Sequence, residues 1–75
     1  MGRLAGFSGR EVSRIAEING WNLSRIRGSH RIYSKTGNVR NLSIPNHTSL
    51  GEGILRDLLT TMGLSVEEFL AVAWK

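Results

Sequence analysis

The sequence predicts an α+β fold in which helices pack on one face of a small three-stranded antiparallel sheet. Three observations carry that prediction. Serine capping boxes recur near both ends of the chain, strand-like sequence punctuated by turn residues fills the middle, and a later segment spaces its apolar residues one, three and four apart. The expected order is helix, three strands, helix and short helix, in one domain covering residues 1–75.

The first helix opens at Ser8-Gly9-Arg10-Glu11. The Ser8 hydroxyl can accept from the Glu11 amide while the Glu11 carboxylate reaches back to the Ser8 amide, with Phe7 and Val12 in the staple positions. Val12, Ile15, Ala16 and Asn19 trace one stripe with Ile18 beside it, and Gly20 can take the left-handed conformation that stops a helix. The helix is expected over about residues 9–19. Trp21, Leu23 and Ile26 then lie among polar residues as a first strand, and Ser29 to Lys35 runs without proline or glycine as a second. Lys35-Thr36-Gly37-Asn38 supplies hairpin chemistry, so Val39 to Ile44 should return as the third strand, ended by Pro45, which has no amide hydrogen for a ladder. Ile54, Leu55, Leu58, Leu59 and Met62 form a broad apolar helical face closed by Gly63. Ser65-Val66-Glu67-Glu68 is the second capping box, with Leu64 and Phe69 as its staple, and starts a helix expected to reach about Ala73.

Composition narrows the function. A chain of 75 residues sits near the size at which one core barely suffices, since ordering costs about 1.5 kcal/mol per residue. The absence of cysteine leaves no disulfide and no thiolate metal site, which fits a reducing, cytoplasmic setting. No apolar run reaches membrane-spanning length, and Met1 to Gly9 lacks the apolar core of a secretory signal. Charge is uneven. Through His47 eight basic residues face two acidic ones, whereas from Thr48 onward two basic residues face four acidic ones, within a total of +4. A polyanion is therefore expected on the first two-thirds of the chain, although the same charges also fit a solvated face.

Gly28-Ser29-His30-Arg31-Ile32-Tyr33 concentrates the candidate chemistry. Cleavage of RNA by its own 2′-hydroxyl needs a base for that hydroxyl, an acid for the leaving 5′-oxygen and positive charge on the non-bridging oxygens. Histidine is the residue type whose ordinary pKa suits proton transfer near neutral pH, which makes His30 the candidate catalytic residue. Arg27, Arg31, Lys35 and Arg40 lie near it along the hairpin as candidate phosphate contacts, and Gly28 and Ser29 allow close backbone approach. Each has a plainer role open to it: a structural histidine, a glycine marking a turn, and arginines that merely discourage edge pairing. Tyr33 fits base stacking or core packing. Strand alternation puts His30 with Ile32 and Ser34, opposite Arg31, Tyr33 and Lys35; were Ile32 to join Leu42 and Ile44 in the core, His30 would line an edge cleft beside a helix. No metal site is expected, because the two histidines stand far apart with no acidic cluster near them, and Ser29 lacks the partners of a serine hydrolase.

Taken together, Ser8-Gly9-Arg10-Glu11-Val12, the Gly28 to Tyr33 strand, Ile44-Pro45-Asn46-His47, and Leu55-Arg56 through Gly63 to Leu70 resemble the HicA toxin family over nearly the whole chain, in the family's order. The resemblance implies a double-stranded-RNA-binding-like fold, α-β-β-β-α plus a short C-terminal helix, and an mRNA interferase restrained by a HicB antitoxin. It places His30 at the catalytic histidine and His47 at the histidine of the proline-x-histidine element, which joins the candidate RNA contacts. One departure is Leu50 before Gly51, where lysine often stands, with Glu52 following; this argues against a phosphate contact at the start of the second long helix. The expected function is thus a metal-independent endoribonuclease toxin needing no cofactor, with RNA and a HicB-like antitoxin as partners and self-association left open. The alternatives are a non-catalytic RNA-binding module using the same basic hairpin and a protein-interaction domain recruiting an acidic partner.

Overall fold

The computed structural model describes residues 3–73. Its elements run α1 (Gly9–Ile18), β1 (Asn22–Arg27), β2 (His30–Ser34), β3 (Leu42–Pro45), α2 (Glu52–Met62) and α3 (Val66–Ala73). The strands form one antiparallel sheet in the order β1-β2-β3. This is the expected α+β arrangement.

The helix termini follow their local chemistry. Both capping boxes close: Glu11 N–H donates to Ser8 Oγ at 3.1 Å and Ser8 N–H to Glu11 Oε1 at 2.8 Å, with the same two distances at Ser65 and Glu68. Both α1 and α2 end with a left-handed glycine. Gly20 has φ +89° and Gly63 φ +74°, and the next amides, Trp21 and Leu64, reach back to the Ala16 and Leu59 carbonyls. The two staples meet in the core, where the Phe7 and Phe69 rings pack edge to face at 4.9 Å.

One continuous core joins the helices to a single face of the sheet. It contains Val12, Ile15 and Ala16 of α1, Tyr33, Leu42 and Ile44 of the sheet, Leu55, Leu58, Leu59 and Met62 of α2, and Phe69 and Leu70 of α3, with Leu4, Phe7, Trp21 and Leu50 closing its ends. Leu50 therefore has a packing reason to stand before Gly51. Its amide also donates to the Phe7 carbonyl at 2.8 Å.

Expectations at β3 and on the helix faces are corrected, and the open choice within β2 is decided. Strand β3 begins at Leu42, not Val39; residues 35–41 form a longer connection in which Val39 is fully exposed, because only Leu42 and Ile44 can reach the core. Ile54 is exposed, since it lies about 100° around α2 from buried Leu55, and Ile18 at the end of α1 is exposed beside the buried stripe. Within β2 the core residue is Tyr33, not Ile32. Its ring fills more space against α1, and its hydroxyl donates to Glu17 Oε2 at 2.6 Å, which satisfies the polar end of the buried side chain. His30 consequently lies on the open face of the sheet instead of beside a helix.

Candidate functional site

His30 is the first residue of β2, immediately after a two-residue hairpin loop, Gly28-Ser29, that joins Arg27 to its cross-strand partner His30. Gly28 carries φ +59° while Ser29 stays negative, the sign pattern of a type II′ turn, so glycine is required there by backbone conformation. The plainer expectation for Gly28, a tight turn, is met.

Pairing fixes which side chains share His30's face. Directly opposed residues in an antiparallel ladder project to the same side with Cβ atoms about 5 Å apart. Arg27 opposes His30, Arg25 opposes Ile32, and Pro45 and Ser43 oppose the same two residues from β3. The open face thus sets Arg25, Arg27 and His30 in one corner. Arg25 was not singled out from the sequence, although it stands two residues from Arg27 and ordinary alternation puts the two on one side. An irregularity between Leu23 and Arg25 shifts the register by one, so Leu23 turns to the opposite side while Arg25 and Arg27 share His30's.

Behind the hairpin runs the segment after β3. Asn46 N–H donates to the Ser29 carbonyl at 2.6 Å, Gly9 N–H donates to the His47 carbonyl at 2.9 Å, and a Cβ on Gly9 would collide with the Pro45 carbonyl oxygen. The hairpin, the Pro45-Asn46-His47 turn and the start of α1 are therefore stitched together. A shallow depression of about 410 Å³ lined by Ser8, Arg10, Asn46, His47 and Thr48 adjoins them. Ser8, Arg10 and Asn46 carry no sequence signal for this role beyond the capping box and the proline.

The remaining sequence candidates separate. Lys35 lies about 16 Å along β2 from His30, with its ammonium 5.9 Å from the centre of the Trp21 ring, and Arg40 sits in the exposed connection at that same end. Arg31 projects from the opposite, helix-covered side with Tyr33. There it lines a pocket with Arg10, Ser13, Arg14 and Glu17. Burial, and then the hydrogen bond to Glu17, hold the Tyr33 phenol above its ordinary value of 10.0, partly offset by Ser13 and Arg31. Among the described residues no group of three or more histidine, cysteine or carboxylate side chains is placed to hold a metal.

Fold and surface define a small basic α+β protein with a histidine beside arginines on an uncovered sheet face. The family model for the HicA toxin of bacterial toxin-antitoxin systems matches residues 9–64, and the chain belongs to that family. The match spans α1, the whole sheet and α2, hence every element that positions His30 and His47. No individually curated protein matches at a significant level. By family the protein is the toxin of a toxin-antitoxin pair, from a family known for ribonuclease activity, and it has an antitoxin counterpart. No helix among the described residues is long and apolar enough to cross a membrane.

Proposed function

We propose that this toxin is an endoribonuclease that cleaves mRNA without a metal, using His30 for proton transfer. The observation that carries the reading is the direct cross-strand pairing of His30 with Arg27 on an exposed face, with Arg25 next along the same side. The 2′-hydroxyl of the substrate loses its proton and attacks the adjacent phosphorus. The bond to the 5′-oxygen breaks, that oxygen takes up a proton, and a 2′,3′-cyclic phosphate and a 5′-hydroxyl result. His30 exchanges protons with the reacting oxygens; Arg27 and Arg25 stabilise the charge on the non-bridging oxygens. Gly28 and Ser29 let the backbone close on the ribose, and His47, next to Arg10, contacts the strand behind the hairpin. Lys35 and Arg40 meet phosphates further along the RNA, which crosses a double-stranded-RNA-binding-like fold. Arg31 faces away and takes no part on this surface.

The antitoxin, of HicB type, silences the enzyme by covering His30 and the hairpin with carboxylates opposite Arg27. The test is purified toxin on a defined RNA with and without chelator. His30→Ala should abolish cleavage with binding retained, and wild-type activity should survive EDTA. Cleavage by the variant overturns the role of His30; loss of activity on chelation overturns the metal-free chemistry.

A further inference from the structure

The helix-covered side of the sheet carries a second basic site. A pocket of about 420 Å³ between α1 and β2 is lined by Arg10, Arg14 and Arg31 with Glu11, Glu17 and Ser13. Both carboxylates are engaged already: Glu11 accepts from the Ser8 amide, and Glu17 from the Tyr33 hydroxyl. None of the three arginines is ion-paired, the ion pair found among the described residues being Arg3–Glu67. Ser13 is only 3% exposed, and its Oγ stands beside the Tyr33 phenol without completing a well-formed hydrogen bond. An acceptor entering the pocket would give that hydroxyl the full hydrogen bond the isolated chain does not supply.

The surroundings choose between kinds of acceptor. Leu23 and Ile26 oppose Tyr33 and Arg31, so they project to this same side, yet they are 44% and 60% exposed. Ile18, on the last turn of α1, is 59% exposed and, with Glu11 and Arg14, lines the adjoining groove toward Val72 and Ala73. Aliphatic side chains contribute nothing to a phosphodiester backbone, and two carboxylates at the rim repel one. They suit a protein surface that sets a carboxylate among apolar residues.

We infer that the pocket framed by Arg10, Arg14, Arg31 and Ser13 is an anchoring site for the antitoxin, taking one of its acidic side chains while its aliphatic residues cover Leu23 and Ile26. The inference rests on family membership and not on the role of His30. Strand β1 is an outer strand exposed along its whole length, so a partner wrapping its edge reaches this pocket and the His30 face together.

The experiment uses this toxin chain and a purified HicB-type antitoxin that neutralises it. Arg14→Glu and Arg14→Ala are titrated by calorimetry against that protein, and each is assayed alone on RNA. Arg14→Glu should weaken the complex roughly thirtyfold or more and let co-expressed toxin arrest growth, while cleavage by free toxin stays within about twofold of wild type. Arg14→Ala, the milder change, should weaken the complex in the same direction and guards against misfolding of the charge reversal. Unchanged affinity in both variants overturns the inference. So does a loss of RNA affinity with antitoxin binding intact, which would make the pocket an RNA phosphate site. Calorimetry reads the complex whether or not the toxin cleaves RNA, so failure of the catalytic reading is seen separately.

Discussion

Gly9→Ala is the sharpest perturbation available. Alanine is the better helix former, by up to about 1 kcal/mol in a helix interior. At Gly9, however, a Cβ would drive into the Pro45 carbonyl oxygen and stand 2.9 Å from that carbonyl's carbon and 3.2 Å from Asn46 Cα. All three are backbone atoms, so no side chain can rotate aside. Relief requires α1 and the Pro45–His47 segment to part, which sacrifices the Gly9–His47 hydrogen bond and pulls on the Asn46–Ser29 bond behind His30. Overpacking costs about 1–3 kcal/mol and each lost hydrogen bond about 1 kcal/mol, so the substitution should cost about 3 kcal/mol. Gly53→Ala is the control, because Gly53 lies within α2 with open space around its Cβ position, and it should stabilise by about 0.5 kcal/mol. Urea unfolding of both variants is the assay. A Gly9→Ala variant as stable as wild type would refute the close approach and the stitching of α1 to the site.

Tyr33→Phe should lose about 1–2 kcal/mol near neutral pH with its bond to Glu17. Because the folded phenol titrates above 10.0, wild type should lose that margin as pH rises from about 10 through the folded value, so the gap between the two proteins should narrow by pH 11; a constant gap in urea midpoints contradicts this. Ser65→Ala removes the α3 capping box and should cost about 1 kcal/mol, lowering the thermal midpoint by about 4–8 °C. Arg25→Ala should reduce the salt slope of RNA affinity by no more than about one unit, as Arg27→Ala should, and an unchanged slope would remove Arg25 from the RNA face.

What could be read from the sequence was local. A capping box needs only Ser8 and Glu11 three residues apart, and a left-handed stop needs only Gly20 or Gly63, so helix starts and ends were legible without knowing the fold. Histidine among arginines was equally legible as composition. Which way His30 points was not. Alternation along β2 is symmetric, and the choice between Ile32 and Tyr33 is made by the space beneath α1 and by Glu17, sixteen residues away. The register shift near Ser24 leaves no mark on residue types, yet it alone decides that Leu23 lies with Tyr33 and not with Arg25. Nothing in the helical pattern marks Arg10 and Ser13 as part of a site; only Arg31 arriving on the neighbouring strand turns them into a pocket.

Strand β1 links these results. An exposed outer strand invites unwanted pairing, and arginines with a register irregularity are common defences. Those devices protect only one face here. On the other, Leu23 and Ile26 stay uncovered beside unpaired arginines, an arrangement that gives the isolated chain no packing benefit. A toxin must act when free and be silent when bound, so its substrate face has to be bare in the active state. Inhibitor affinity built only from that face would compete with RNA for every contact. Placing apolar and arginine anchors on the reverse side gives the antitoxin binding energy that RNA cannot claim. It follows that substitutions at Arg14 and at Arg27 should affect antitoxin affinity additively while only the latter changes RNA affinity, and strong coupling between the two sites in a double-mutant cycle would show that they belong to one surface.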